Sequence, residues 1–492
     1  LTNISSSSTT SSKTTPTKLV QGLGLFDATT IVMGSMIGSG IFLVSADIAR
    51  QVNSPGLLML AWVVTAVMTL MGALSFGELA AAMPHAGGQY VFLREAYGRM
   101  TGFLYGWTLF TVIQTGTIAA VAVAFARFTG VLVPWVSNPE PFLQLGPLAV
   151  KNEQLVAIAT LVALSWWNTR GLRQGAVVQN IFTVAKVGAL LGFIILGLFF
   201  AGNNPAAASN FENFWPTEWD WVWVIRAVGV ALVGTLFSSD AWSNVTFTGE
   251  EVRNPKRNLP LALGLGVLTV SALYLGVNWI YISVLPLEAI QTAPLDRVGT
   301  AAAEQMLGPV ARYVMAITIM IATFGCINGI TLAGARVYYA MAKDGLFFEN
   351  VSRLHPKTHT PNVSLAIQCI WACLLCLSGT YGDLLDYVIF AVLIFYALTI
   401  GGVFILRIRR PEMERPYKVW AYPVLPAAYI LSAVSVALLL LVYKPTYTWP
   451  GLGLVFLGVP VYTIWTRYQK KRVSEASGQQ LEAWAGRQSS KE

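Results

Sequence analysis

The chain has 492 residues, of which 55% are hydrophobic and 11% charged, and its mean hydropathy is +0.59. Charged residues make up about 25% of an ordinary soluble domain, so this composition excludes that class and points to a chain that crosses a membrane many times. The net charge of +8 does not argue for nucleic acid, because the basic residues fall in short segments between apolar runs, where they act as topology signals.

Residues 1–20 read as a disordered cytoplasmic tail. Positions 1–18 are rich in Ser and Thr, carry Lys13 and Lys18, and lack the apolar core of a cleavable signal peptide, so none is expected. The first apolar run, 25–48, is long enough to span a bilayer, for which about 20 residues suffice. Within it GSMIGSGIF (34–42) sets Gly34, Gly38 and Gly40 with Ser35 and Ser39 at mid-depth, and these are poor residues for an unbroken helix. Backbone that leaves a helix at that depth must be buried in protein or line a watery cavity. The half-helix after such a break opens with unpaired N–H groups and a positive dipole end, which suits a small carboxylate. The run therefore predicts a substrate site at the break, although Gly34 and Gly38 also have the spacing of close helix packing.

Twelve spans are expected, at about residues 25–49, 56–82, 102–133, 153–169, 174–201, 221–248, 259–284, 310–342, 362–379, 384–406, 420–443 and 449–466. Loop charge alternates: Arg94 and Arg99, Arg170 and Arg173, Arg253 to Arg257, and Arg407 to Lys418 fall on the side of the N-terminus. By the positive-inside rule both termini are cytoplasmic. In span 3, Gln114, Thr115 and Thr117 are polar, as are Thr323 and Asn328 in span 8; each lines a pocket or bonds helix to helix. Lys186 lies inside span 5 between Ala185 and Val187, too deep for easy snorkelling, and is expected to face carbonyls or hydroxyls; the alternative is a side chain reaching the cytoplasmic interface.

Span 6 reads VALVGTLFSSDAWSNVTF (230–247) and is also broken, by Ser238, Ser239, Asp240, Ser243 and Asn244 in mid-membrane. Spans 1 and 6 open two blocks of five, and an odd number of spans gives the blocks opposite orientation, which is the plan of an inverted repeat with its site at the midplane. Asp240 is an intramembrane carboxylate, functional by default. It attracts a cationic side chain or an α-ammonium, or it titrates in step with transport, or it caps a half-helix starting at Ala241. The charged turn Glu250, Glu251, Arg253, Lys256 and Arg257 is either a gate of ion pairs or a solvated loop. Cys326, Cys369, Cys373 and Cys376 lie in apolar stretches and are expected as packed thiols. His355 and His359 have metal-compatible helical spacing, but Pro356 and Pro361 put them in a loop. No metal and no cofactor are expected.

These motifs in combination resemble the amino acid, polyamine and organocation (APC) transporter superfamily. They are GSMIGSGIF, NSPGL (53–57), GEL (77–79) before HAGGQYVFLREAYG (85–98), AKVGAL (185–190), FSSDAWSNVTFTGEEVRNPKRNLPLA (237–262), FGCINGI (324–330) and RRPEMERPYKV (409–419). The last three look most like the L-type amino acid transporter (LAT) family, and the missing partner thiol described below suggests a prokaryotic member. The resemblance implies an all-α polytopic membrane protein of the leucine-transporter (LeuT) type. Its five-helix repeats would be 21–202 and 203–408, followed by two peripheral helices at 409–468 and a cytoplasmic tail at 469–492. It implies a substrate clamp drawn from Ser35, Met36, Ile37, Gly38, Ser39 and Gly40 in span 1 and Phe237, Ser238 and Asp240 in span 6. The amides of Gly38 to Gly40 would take the carboxylate, carbonyls near Met36 and Phe237 the ammonium, and the Phe237 ring would lie over the bound amino acid. It places Lys186 where sodium-coupled relatives of the fold hold sodium. It also implies that position 240 is glycine in much of the L-type family and aspartate in a few members that accept dibasic amino acids.

The expectation is thus a sodium-independent amino acid antiporter in the plasma (inner) membrane, working by alternating access on neutral and, through Asp240, cationic L-amino acids. A proton-coupled symporter using Asp240 is the nearest alternative. A membrane-embedded lipid-linked transferase is a remote one, since the three His all fall in cytoplasmic loops. Its partners would be amino acids and the lipid bilayer, not nucleic acid. Animal members of the family are joined by a disulfide to a single-span glycoprotein through the loop between spans 3 and 4; residues 134–152 contain no Cys, so no disulfide-linked heavy subunit is expected.

Overall fold

The computed structural model describes residues 19–138, 140–145, 148–201, 205–378 and 381–489. The tail expected at 1–20 lies outside them as far as residue 18. The chain runs through α1 (Leu25–Met36), α2 (Gly40–Val52), α3 (Pro55–Ala82), α4 (Gln89–Tyr97) and α5 (Arg99–Thr108), which passes by a π-helical turn (Leu109–Ile113) into α6 (Gln114–Leu132). A short hairpin, β1 (Leu143–Leu145) and β2 (Leu148–Val150), precedes α7 (Asn152–Asn168), α8 (Leu172–Ala201), α9 (Pro205–Glu212) and α10 (Trp221–Ser238). After a 3-10 helix (Trp242–Glu251) follow α11 (Pro255–Val284), α12 (Leu287–Gln291), α13 (Val298–Leu307), α14 (Ala311–Lys343), α15 (Asn362–Ser378), α16 (Tyr381–Arg409), α17 (Val424–Tyr443) and α18 (Pro445–Ser489).

Local chemistry sets several starts. Ser54 accepts from the Leu57 amide at the head of α3, where Pro55 fills the first turn, and Asp220 accepts from the Val222 and Trp223 amides at the head of α10. Among the described residues nine helices are long and apolar enough to cross a membrane, and α1 with α2, bent by 42° at their junction, make a tenth. The remaining two expected spans correspond to α7 and α15. Each has only 17 residues, short of the ~20 that cross a bilayer.

The packing follows a simple rule. The first and sixth interrupted helices meet, α2 against α10 and α1 against the 3-10 helix; the second and seventh meet as α3 and α11; the third and eighth as α6 and α14; the fourth and ninth as α7 and α15. Four of the first five spans thus pack on the one five spans further along, while the fifth, α8, packs on α14, α11 and α1 instead. At the end where the chain leads into α1, the Gly22 and Leu23 amides donate to the Glu251 carbonyl and the Arg253 amide donates to the Leu23 carbonyl, at 2.8–3.0 Å. That backbone zipper ties the entry of α1 to the end of the 3-10 helix at one mouth of the bundle.

Candidate functional site

The first break spans Ile37 to Ser39. Ile37 is extended at φ −75° and ψ 95°, and Ser39 returns to helical angles ahead of α2. None of these residues needs a positive φ, so the glycines serve close approach instead. A Cβ on Gly40 would lie 2.2 Å from the Ser238 Oγ, and one on Gly34 1.8 Å from the Gln179 Nε2. Helix packing and an open backbone are therefore built from the same residues.

The second break is at Ser239 to Ala241. Ala241 adopts the left-handed region at φ 66°, a conformation that a side chain disfavours, and the chain resumes as a 3-10 helix at Trp242. The half-helix therefore starts one residue later than the Ala241 expected from sequence, and no side chain caps it. Asp240 is not a cap because its carboxylate is turned toward α16, where the Tyr396 hydroxyl donates to Oδ1 at 2.7 Å and lies 3.1 Å from the Ser243 hydroxyl.

One hydroxyl ties the two breaks together. Tyr274, from α11, lies 3.1 Å from the carbonyl oxygen of Met36, the last residue of α1, and 3.1 Å from that of Ser238, the last residue of α10. One turn on, Asn278 lies 2.6 Å from the Ser45 hydroxyl, and the Tyr281 hydroxyl donates to the Ile41 carbonyl, so α11 holds α2 in register. Lys186 supports the first break from the other side. Its ammonium donates to the carbonyls of Gly34 at 2.5 Å, Ile37 at 2.7 Å and Ala322 at 3.3 Å, with 1% of the side chain exposed. It does not reach an interface; the peptide groups freed by the break are its ligands.

Asp240 borders three small cavities, and the larger two each have room for about one water, about 20 Å³. Ser35, Met36, Gly38, Ser39, Gly40, Phe237, Ser238 and Asp240 line one of them, with Thr117 and Cys326. Gln114, Thr117, Ser243, Asn244 and Tyr396 line the other with Asp240. Ser35 Oγ and Asn244 Nδ2 are buried without a hydrogen-bond partner among the described residues, an arrangement that favours a polar guest. Of the residues expected at the site, Ile37 contributes its carbonyl to Lys186 and lines neither cavity. Asn328 is turned away toward α8, where its amide donates to Gln179 and Gly175; it bonds helix to helix. Thr115 and Thr323 bond to carbonyls of their own helices. Gln114 does both, donating to the Ile330 carbonyl at 2.7 Å while facing a cavity.

Sequence reasoning missed Tyr274 and Tyr396, whose only signal was a hydroxyl in an apolar run. It also missed two ion pairs. Arg336 of α14 and Glu251 pair at 2.9 and 3.1 Å with 1% of each side chain exposed. Glu78 of α3, 2% exposed, accepts from Arg407 at 2.9 and 2.6 Å and from the Val419 amide at 2.8 Å. A charge inside an apolar run was the signal available for both. The rest of the charged turn is looser, with Lys256 paired to Glu414 on an exposed surface. All four cysteines are free thiols in helices, and the His355 ring contacts Thr358 in a loop.

Residues 23–460 match the model of a family described as amino acid permease. Over 460 residues the chain is 30% identical to the mouse large neutral amino acids transporter small subunit 2, covering 92% of this chain and 82% of that one. It is 30% identical over 456 residues to the human b(0,+)-type amino acid transporter 1, covering 92% and 89%. To the serine/threonine exchanger SteT of Bacillus subtilis it is 29% identical over 453 residues, covering 90% and 96%. These relatives are named as transporters, and the transferase reading falls away.

Proposed function

Because the chain belongs to the amino acid permease family of the APC superfamily, and is a membrane-embedded amino acid transporter, we propose that it is a sodium-independent exchanger of neutral and cationic L-amino acids. It works by alternating access in the plasma membrane with both termini cytoplasmic, so the zippered mouth beside Leu23 is the inner one. The twelve-span, five-plus-five plan is supported by the packing of the first four spans on the ones five further along, as expected of two interlocked inverted repeats.

One observation carries the reading: two interrupted helices end at one level, joined by a single hydroxyl, around buried polar groups that lack partners. The first amides of α2 have no acceptor within their own helix and take the substrate carboxylate. A carbonyl oxygen has two lone pairs, so that of Met36, engaged by Tyr274, keeps capacity for an ammonium beside the Phe237 carbonyl. The space between the breaks is far below the size of an amino acid, so the breaks must part to admit one. Lys186 supplies a fixed positive charge among the carbonyls of the first break, which supports independence from sodium. Asp240, one wall of both cavities, is placed to meet a cationic side chain.

A second reading, proton-coupled symport, is favoured by the same carboxylate, since Asp240 is buried beside the Tyr396 hydroxyl. Efflux of preloaded labelled L-serine, L-leucine or L-lysine from proteoliposomes, with pH gradient and membrane potential clamped, separates the two. Exchange predicts efflux only when an amino acid is present outside, at equal rates in sodium and choline. Efflux into amino-acid-free medium that follows the pH gradient selects symport, and a sodium requirement rejects the role given to Lys186. Asp240→Asn is expected to weaken lysine about 10-fold, one charge-assisted contact, with little change for alanine; equal losses would remove Asp240 from charge recognition.

A further inference from the structure

A cavity far larger than those at the breaks lies elsewhere in the molecule. It holds about 320 Å³ at the opposite end of the bundle from the zippered mouth, within the ~300–1,000 Å³ typical of small-molecule sites. Gly40 and Val121 line the small cavity at the first break; Leu43 and Ala124, one turn further along the same two helices, line the large one. The two spaces lie about one helical turn apart along α2 and α6.

The lining of this vestibule is charged in an unbalanced way. Arg127 of α6 lies 3.5 Å from Glu153 of α7, a pair with 43% and 25% of the side chains exposed. Arg297, between α12 and α13, has its guanidinium 5.0 Å from the Phe128 ring centre and 3.4 Å from the Arg127 carbonyl, and no carboxylate of the described residues lies within 4.0 Å of it. The neighbouring Asp296 is paired instead with Arg50, at 2.8 Å. Burial, and after it the Arg127 charge, lower the proton affinity of the Arg297 guanidinium below its ordinary value. A second negative group would relieve both stresses. The remaining wall is Leu43, Ala124, Val136 and Leu295, an apolar surface for a side chain.

We infer that this vestibule is a capture site for the incoming amino acid, with Arg297 binding the carboxylate and Glu153 facing the ammonium before the substrate moves one turn inward to the breaks. The inference rests on the transport reading for its direction but not for its occupancy. A bidentate guanidinium contact gives the site its preference for a planar carboxylate, and a cleft of net positive charge raises the local concentration of that group.

The test is read at Leu295→Cys, an exposed position on the vestibule wall, labelled from outside by a membrane-impermeant maleimide, with the unsubstituted protein as the background for its four native thiols. L-Serine, L-leucine and butyrate are expected to slow labelling, while n-butylamine and sodium chloride at equal concentration are not. Adding Arg297→Gln abolishes the protection, and Arg297→Lys keeps part of it. Equal protection by n-butylamine or chloride, or protection that survives Arg297→Gln, overturns the capture site. In exchange assays Arg297→Gln is expected to raise the external KM about 10-fold, the worth of one charge-assisted hydrogen bond, with internal KM and kcat unchanged. A rise on both faces equally also overturns it, and an unchanged internal KM shows that the variant folds. Labelling protection requires no turnover, so a chain that fails to exchange would reject the transport reading while leaving the capture site standing.

Discussion

Arg336 and Glu251 pair at the zippered end with 1% of each side chain exposed, whereas Arg50 and Asp296 pair at the opposite end with 42% and 51% exposed. The zippered end adds Glu78 with Arg407, the contact of Arg94 with Asp344, and the backbone bonds between 22–23 and 251–253. The opposite end holds the 320 Å³ vestibule. Exposed pairs are worth about 0–1 kcal/mol, while removing one member of a buried pair costs about 3–5 kcal/mol because the survivor is left charged and dry. The zippered end is therefore the more firmly held of the two. Opening the zippered end must hydrate Glu251 and Arg336 together, which makes them natural control points for a gate there.

That contrast can be broken in stages. The largest effect is expected for Arg336→Met, which strands Glu251 and should destabilise the fold by about 3–5 kcal/mol, seen as a fall in Tm in detergent. Arg336→Met with Glu251→Gln should recover most of it, and a double variant no more stable than the single one would show that the pair is not the lock. Next is Lys186→Met, which leaves the carbonyls of Gly34 and Ile37 without their donor and should cut exchange about 10- to 100-fold at about 1–3 kcal/mol per stranded group; exchange within twofold of the parent would dismiss the ammonium as a strut. Tyr274→Phe removes the one hydroxyl shared by both breaks and should slow exchange about fivefold, near 1 kcal/mol, with the Tm almost unchanged. The smallest is Arg50→Gln, expected to move stability by less than about 1 kcal/mol. A loss as large as that of Arg336→Met would erase the difference between the ends.

The difference between the ends was only half legible in the sequence. GSMIGSGIF, Lys186 and Asp240 stand out because each sets a helix-breaking or charged residue inside an apolar run, and that signal is local. Tyr274, Tyr396 and the partner of Glu251 are not local: each acts through a residue many positions away, 238 for Tyr274 to Met36 and 85 for Arg336 to Glu251. Asn328 shows the same limit in reverse, since its depth was readable but its rotation, toward Gln179 rather than the cavity, was not. The start at Trp242 in place of Ala241 reflects a backbone turn at φ 66° that alanine does not advertise. Pattern reveals where a helix fails; partners across the bundle decide what the failure holds.

The central claim is that the loosened peptide groups at the two breaks grip the amino acid, and hydrogen–deuterium exchange of the reconstituted protein reads those groups directly. On saturation with the amino acid that it exchanges fastest, peptides covering 34–42 and 237–244 should become protected, while those of α3 stay unchanged. Unaltered exchange at both breaks under saturating substrate would contradict the account.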